Sequence, residues 1–336
     1  MNRAASRHRD TPDHAPLWVA ILLVVVGVGA TLLSDASAHS VYVVARAADY
    51  AGTAVFLGGS VFVAFAWPAG STVPAARRLL TGGWILGLVG TVSAIGLEGA
   101  WAGQARPSTA FDWSVIQQVL GLDFGREWAA KALLWLLAGV VLADLLRRGE
   151  TAATSLAWRI GAGAVGLGLL RITGLTGHAT DAPDSTLAAV ADFVHLVGMS
   201  VWAGGLAMLL FGVLPRRKPQ ELAAVVPRYS KLAMISVVAV IGGGVILAWQ
   251  LVGGFGALVD TAYGRLLLLK IALLVAILGA AAGSRSWVAH RLDFAVVLRG
   301  DATTVRPFVR SVAVESVLVL LVLMVASVLV TADPGR

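Results

Sequence analysis

Four residues of one apolar stretch could do chemistry together: Asp192, His195, Met199 and Trp202. On a helix, at 100° per residue, they fall within an arc of about 80°, a single face. If that helix starts near Leu187, a rise of about 1.5 Å per residue puts Asp192 about 8 Å deep, His195 about 12 Å and Met199 about 18 Å. The order inward is carboxylate, imidazole, thioether, from hard ligand to soft. Imidazole binds either oxidation state of copper and thioether prefers Cu(I), so the stripe suits copper as Cu(I) or Cu(II). His178 stands in the loop above it and His39 in a comparable loop earlier in the chain, both placed to capture the ion, while Asp192 and Asp49 would compensate its charge. Plainer readings exist for the same residues. A methionine on an apolar helix can simply pack, a buried His beside an Asp can be a structural hydrogen-bonded pair, and His39 and His178 can be ordinary loop residues.

The stripe can sit in lipid only if the rest of the chain does. Of 336 residues, 58% are hydrophobic and 13% charged, and none is cysteine. A soluble domain carries about 45–50% apolar and about 25% charged residues, so a soluble globule is excluded. The apolar residues fall in nine blocks, at 17–33, 41–67, 79–102, 128–146, 156–176, 187–214, 232–254, 266–283 and 311–331. About 20 such residues cross a hydrocarbon layer of about 30 Å. The expected fold is therefore all-α: a polytopic membrane helix bundle of about nine transmembrane helices.

Charge placement orients it. The net charge of +7 could suggest nucleic acid, but with the N-terminus inside, 18 of the 26 Lys and Arg residues fall on the cytoplasmic side. That is the positive-inside pattern of a membrane protein rather than a nucleic-acid surface. The outer loops hold Asp35, Asp112, Asp123, Asp181, Asp184 and Asp260, a bias that draws cations. Nine spans then leave the C-terminus outside. Without cysteine, a soft metal must use His, Met and carboxylate.

An internal repeat organises the spans. Arg46, Asp49, Gly52, Gly58 and Gly59 reappear as Asp192, His195, Gly198, Gly204 and Gly205, 146 residues on. Phe124-Gly125-Arg126 with Lys131 reappears as Tyr263-Gly264-Arg265 with Lys270, 139 residues on. The chain reads as a cytoplasmic segment (1–16), a four-helix repeat (17–146), a second one (156–283) and a final helix (311–331). Both copies share one orientation, with the axis relating them along the membrane normal. Ala36-Ser37-Ala38 resembles a signal-peptidase site; the repeat argues that the first span is retained, as the counterpart of the fifth.

Ionisable groups within the spans are functional candidates by default. Arg46 and Asp49, one turn apart, can pair with each other or, across the pseudo-twofold, with Asp192 and His195. Glu98 could extend the acidic mouth, Arg171, Lys131 and Lys270 are read as snorkelling to an end, and Glu315 as a salt bridge to an inner Arg.

His195 to Leu206 (His-Leu-Val-Gly-Met-Ser-Val-Trp-Ala-Gly-Gly-Leu), Arg228-Tyr229-Ser230-Lys231-Leu232-Ala233, Tyr263-Gly264-Arg265 with Lys270, and Glu315 follow one another in order. Together they resemble the copper resistance protein D family, most clearly from about Gly177 to Thr331, and that core extends to 331. The resemblance implies a multi-pass bacterial inner-membrane protein that takes copper from the outer side. It also implies a small periplasmic copper-binding partner of the copper resistance protein C type. The family's polar positions carry over to His195, to Trp202, Gly204 and Gly205, to Tyr263 through Lys270, and to Glu315.

The expected function is copper uptake and homeostasis: capture at the outer face, then relay through His195 to Met199. No phosphate loop is visible, so a gradient or an intracellular sink would drive movement, and no enzymatic reaction is expected. Two alternatives stand. One is a membrane cytochrome with haem b held by two His; the other is a copper-sensing or assembly subunit that does not transport.

Overall fold

The structure, a computed structural model, describes residues 37–175, 183–216, 218–252, 255–298 and 306–329. The predicted span at 17–33 and His178 lie outside the described residues. Among the described residues the regular structure is all helix: α1 (Ala38–Ala66), α2 (Pro74–Ala102), α3 (Trp113–Leu120), α4 (Asp123–Arg148), α5 (Glu150–Thr154), α6 (Leu156–Leu175), α7 (Ser185–Arg216), α8 (Pro219–Leu251), α9 (Phe255–Asp260), α10 (Ala262–Leu298) and α11 (Arg306–Leu329). Hydrocarbon offers no hydrogen bonds to the backbone, so a spanning segment must satisfy its own. Seven helices, α1, α2, α4, α6, α7, α8 and α10, are long and apolar enough to cross a membrane; the apolar helix at Ala313–Leu329 of α11 is shorter. The protein is an all-α polytopic helix bundle.

Local signals set the boundaries. Ser37 accepts a hydrogen bond from the Ser40 backbone N–H at 3.3 Å, and Asp184 one from that of Leu187 at 3.0 Å, capping α1 and α7. Pro74 and Pro219 open α2 and α8, where a missing N–H costs nothing. Gly149, between α4 and α5, has φ +59°, a conformation that side chains with a Cβ resist. Two helices outrun their hydropathy blocks: α8 begins at 219 rather than 232, and α10 runs on to 298 rather than 283. A helix need not stop where the hydrocarbon does.

Successive long helices run antiparallel. The end of the bundle with Asp184 and Asp260 is the acidic end; that with Arg77, Arg78, Arg147, Arg148 and Arg216 is the basic end. Large apolar side chains cover the outside, among them Leu133, Ile235 and Val275, as lipid contact requires. At the acidic end Trp113 and Trp249 are exposed, where aromatic rings favour a membrane interface. The basic end is tied shut by polar contacts. Arg216 and Trp67 both donate to Glu221, at 2.8 and 2.7 Å, and Arg159 donates to the Ala64 carbonyl at 2.6 Å.

At the centre α1 crosses α7 with almost no space between backbones. A Cβ on Gly58 would lie 2.0 Å from the Ser200 carbonyl oxygen, and one on Gly204 would lie 2.1 Å from that of Ala54. Small residues let helices approach this closely in lipid. The contact is reciprocal, because Ala54 and Ser200, like Gly58 and Gly204, are 146 residues apart. π-helical turns begin at Phe62 and at Met208, again 146 apart. Outside this crossing, α6 packs on α4 and α7, while α11 packs on α10 and α1.

Candidate copper-binding cavity

The crossing of Gly58 and Gly204 is the floor of a cavity of about 160 Å³. Its walls come from α1, α6, α7, α8, α10 and α11. It reaches the acidic end at Leu251, Tyr263 and Leu329, close to helix termini, and is deepest at Ala54, Met199 and Ser200. From the start of α7, a rise of about 1.5 Å per residue places Asp192 about 10 Å down and Met199 about 21 Å, near mid-span.

Asp192, His195 and Met199 all line this cavity, as the single-face stripe requires. Trp202 does not. It is buried one turn deeper, where its carbonyl accepts the Tyr229 hydroxyl at 2.8 Å. His195 and Met199 are each 8% exposed, and Asp192 is half-buried. At i and i+4 their Cβ atoms are neighbours, about 6 Å apart, so imidazole and thioether can reach one ion between them.

The histidine is fixed in a form that can bind a metal. Its Nδ1 lies 2.8 Å from the Val240 carbonyl oxygen of α8. A carbonyl only accepts, so Nδ1 carries the proton and, in the neutral ring, Nε2 keeps its lone pair. A backbone carbonyl that accepts from one ring nitrogen of a metal-binding His commonly fixes both its tautomer and its ring plane. Two glycines of α8 make room for it. A Cβ on Gly243 would meet the His195 Cβ at 2.9 Å, and one on Gly244 would come within 3.3 Å of the ring.

Lys270, Tyr50, Tyr263, Thr53 and Thr173 share the cavity wall. Lys270 was expected to snorkel; instead it lines the cavity, its charge offsetting that of Asp192. It lies eight residues into α10, about 12 Å by helical rise, too far for its stem to reach the end. The repeat had paired it with Lys131, and that pairing was the signal.

Asp49 does not line the cavity. It is 1% exposed, with Oδ2 2.5 Å from the Lys131 ammonium and Oδ1 accepting the Thr91 hydroxyl at 3.0 Å. Lys131, fully buried, also donates to Thr173 Oγ1 at 2.7 Å, and Trp135 donates to Thr91 at 3.0 Å. Lys131 is thus held in the core rather than snorkelling, and both carboxylate oxygens of Asp49 are engaged. Arg46 donates to the hydroxyls of Tyr42 and Tyr50 at 2.9 and 2.8 Å. Glu98, read as part of an acidic mouth, accepts the Trp128 indole N–H at 2.5 Å. Glu315 is buried in α11.

His39 lies in the first turn of α1 with its ring 5.0 Å from that of Trp101, outside the cavity. No second histidine lines the cavity beside His195 among the described residues. Nor do three or more His, Cys, Asp or Glu cluster to hold an ion among the described residues. Among the described residues the cavity offers one imidazole, one thioether and one carboxylate.

Two family models match the chain: copper resistance protein D-like, N-terminal domain, over residues 35–187, and copper resistance protein D over residues 223–329. The copper transport protein CutJ of Bacillus subtilis (strain 168) is 27% identical over 251 residues, which are 68% of this chain and 43% of that protein. The chain thus spans less than half the length of this relative. No solved structure matches. The two matches cover α1 to α6 and most of α8 through α11, while nearly all of α7, with Asp192, His195 and Met199, lies between them; the chain is a multi-pass membrane protein that belongs to the copper resistance protein D family.

Proposed function

We propose that the protein takes copper at the acidic end, in the His195 cavity, and passes it toward the basic end. The observation that carries this is the placement of Asp192, His195 and Met199 in one cavity, with His195 Nδ1 anchored on Val240 so that Nε2 keeps its lone pair. Asp192 attracts the cation and offsets Lys270, His195 binds it, and Met199 holds it as Cu(I) at the floor. An imidazole and thioether pair gives the low coordination number and soft donor that Cu(I) favours. Asp49 has a structural role in this scheme, and capture by His39 and His178 precedes entry.

On the charge pattern the acidic end faces the periplasm of a bacterial inner membrane, with the N-terminus inside and the C-terminus outside. A periplasmic copper carrier of the copper resistance protein C type would deliver to that end. The role is transport rather than an enzymatic reaction. Inward passage requires the crossing at Gly58 and Gly204 to part, since it closes the cavity below Met199. The reciprocal contacts there support two copies, with a frame of 38–175 and 185–329 rather than 17–146 and 156–283. In that frame α6 and α11 are counterparts, each packed on its own copy's third long helix and on the other copy's first.

Proteoliposomes loaded with a chromogenic Cu(I) chelator test the passage. External Cu(I) should colour the lumen several times faster than in protein-free vesicles, which reports facilitated entry against the bilayer's own barrier. Copper binding without entry would instead support the non-transporting sensing or assembly role.

A further inference from the structure

Beside the face of α6 that lines the copper cavity, a groove of about 600 Å³ runs between α6 and α7 near the acidic end. Its apolar part comes from Leu167, Val190 and Phe193, and Leu167 and Val190 are 44% and 57% exposed. Its polar part is Arg171, with Ser185 and Thr186 facing it from the start of α7. Arg171 is exposed and makes no ion pair among the described residues. It lies four residues before the end of α6, about 6 Å by helical rise, a depth at which a long cationic side chain reaches the headgroup region.

We propose that this groove holds one anionic phospholipid of the leaflet at the acidic end, its phosphate on the Arg171 guanidinium and an acyl chain along Leu167, Val190 and Phe193. Charge complementarity selects the headgroup: a guanidinium binds phosphate bidentately, and the anionic lipid lacks the ammonium or choline that would offset it. The apolar length of the groove selects a lipid over free phosphate, which would leave those side chains without a partner. The site adjoins the copper cavity through one helix. Leu170 and Thr173 of α6 face the cavity, Arg171 and Gly174 face the groove, and a Cβ on Gly174 would lie 2.6 Å from Asp192 Oδ2. A bound lipid therefore braces the wall against which Asp192 rests.

Native mass spectrometry of the full chain, released from micelles with equal phosphatidylglycerol and phosphatidylcholine and no copper, tests the site independently of the copper reading. The wild type should retain one phosphatidylglycerol, about fivefold over phosphatidylcholine, the selectivity that one Arg at an anionic surface supplies. Arg171→Gln should lose that preference. Val190→Trp, which fills the apolar part from the lipid side, should lose the retained lipid altogether. Equal retention of the two lipids by the wild type, or a preference that survives Arg171→Gln, would overturn the proposal. So would displacement of the lipid by millimolar inorganic phosphate, which would reduce the site to an anion contact.

Discussion

His195→Gln is expected to weaken Cu(I) binding by more than about a hundredfold while leaving the protein folded. The glutamine amide can still donate to the Val240 carbonyl and nearly fills the ring's volume, but it has no nitrogen lone pair to offer. Changes to groups merely behind a metal ligand cost about 10–100-fold, so loss of the ligand itself should exceed that. Met199→Leu removes only the sulfur. As a packing change it should cost under about 1.5 kcal/mol, whereas binding should fall by about tenfold, about 1.4 kcal/mol. Competition against a Cu(I)-specific chelator, on protein of unchanged melting temperature, measures both. Wild-type affinity in His195→Gln would reduce the stripe to core packing.

Lys131→Met should destabilise the bundle by about 3–5 kcal/mol, because it strands the Asp49 carboxylate where no water reaches. Asp49 and Lys131 are 1% and 0% exposed, and Thr91 alone would remain to Asp49. The double variant Asp49→Asn with Lys131→Met removes both charges together and should recover most of the loss. Thermal melting in detergent, with yield as a second readout, separates the cases. A single variant that melts with the wild type would show that the pair contributes little to holding α1, α4 and α6 together.

These residues differ in how far the sequence alone could place them. The stripe was legible because the 3.6-residue period of a helix fixes which side chains share a face whatever surrounds them. Asp192, His195 and Met199 therefore meet in one cavity as expected, and the glycines at 58 and 204 mark a close helix crossing. Partner choice was not legible in the same way. Asp49 pairs with Lys131, 82 residues away, and which helix presents a cation to it depends on how α1, α4 and α6 pack in three dimensions. Hydropathy blocks begin late, which places Lys131 and Lys270 close enough to an end to suggest snorkelling. The helices start several residues earlier, at Asp123 and Ala262, which moves both lysines deeper than a side chain can reach back from. The Val240 carbonyl behind His195 is a backbone group, and no side-chain motif announces it.

In the proposed site copper sits between an imidazole and a thioether on one face of α7. X-ray absorption at the copper edge, on the purified chain loaded with one equivalent of Cu(I), tests this directly. The expected spectrum has a sulfur shell together with a nitrogen shell of imidazole character, and the sulfur shell is lost in Met199→Leu and the imidazole scattering in His195→Gln. A wild-type spectrum with nitrogen and oxygen alone, or a sulfur shell that survives Met199→Leu, would contradict it.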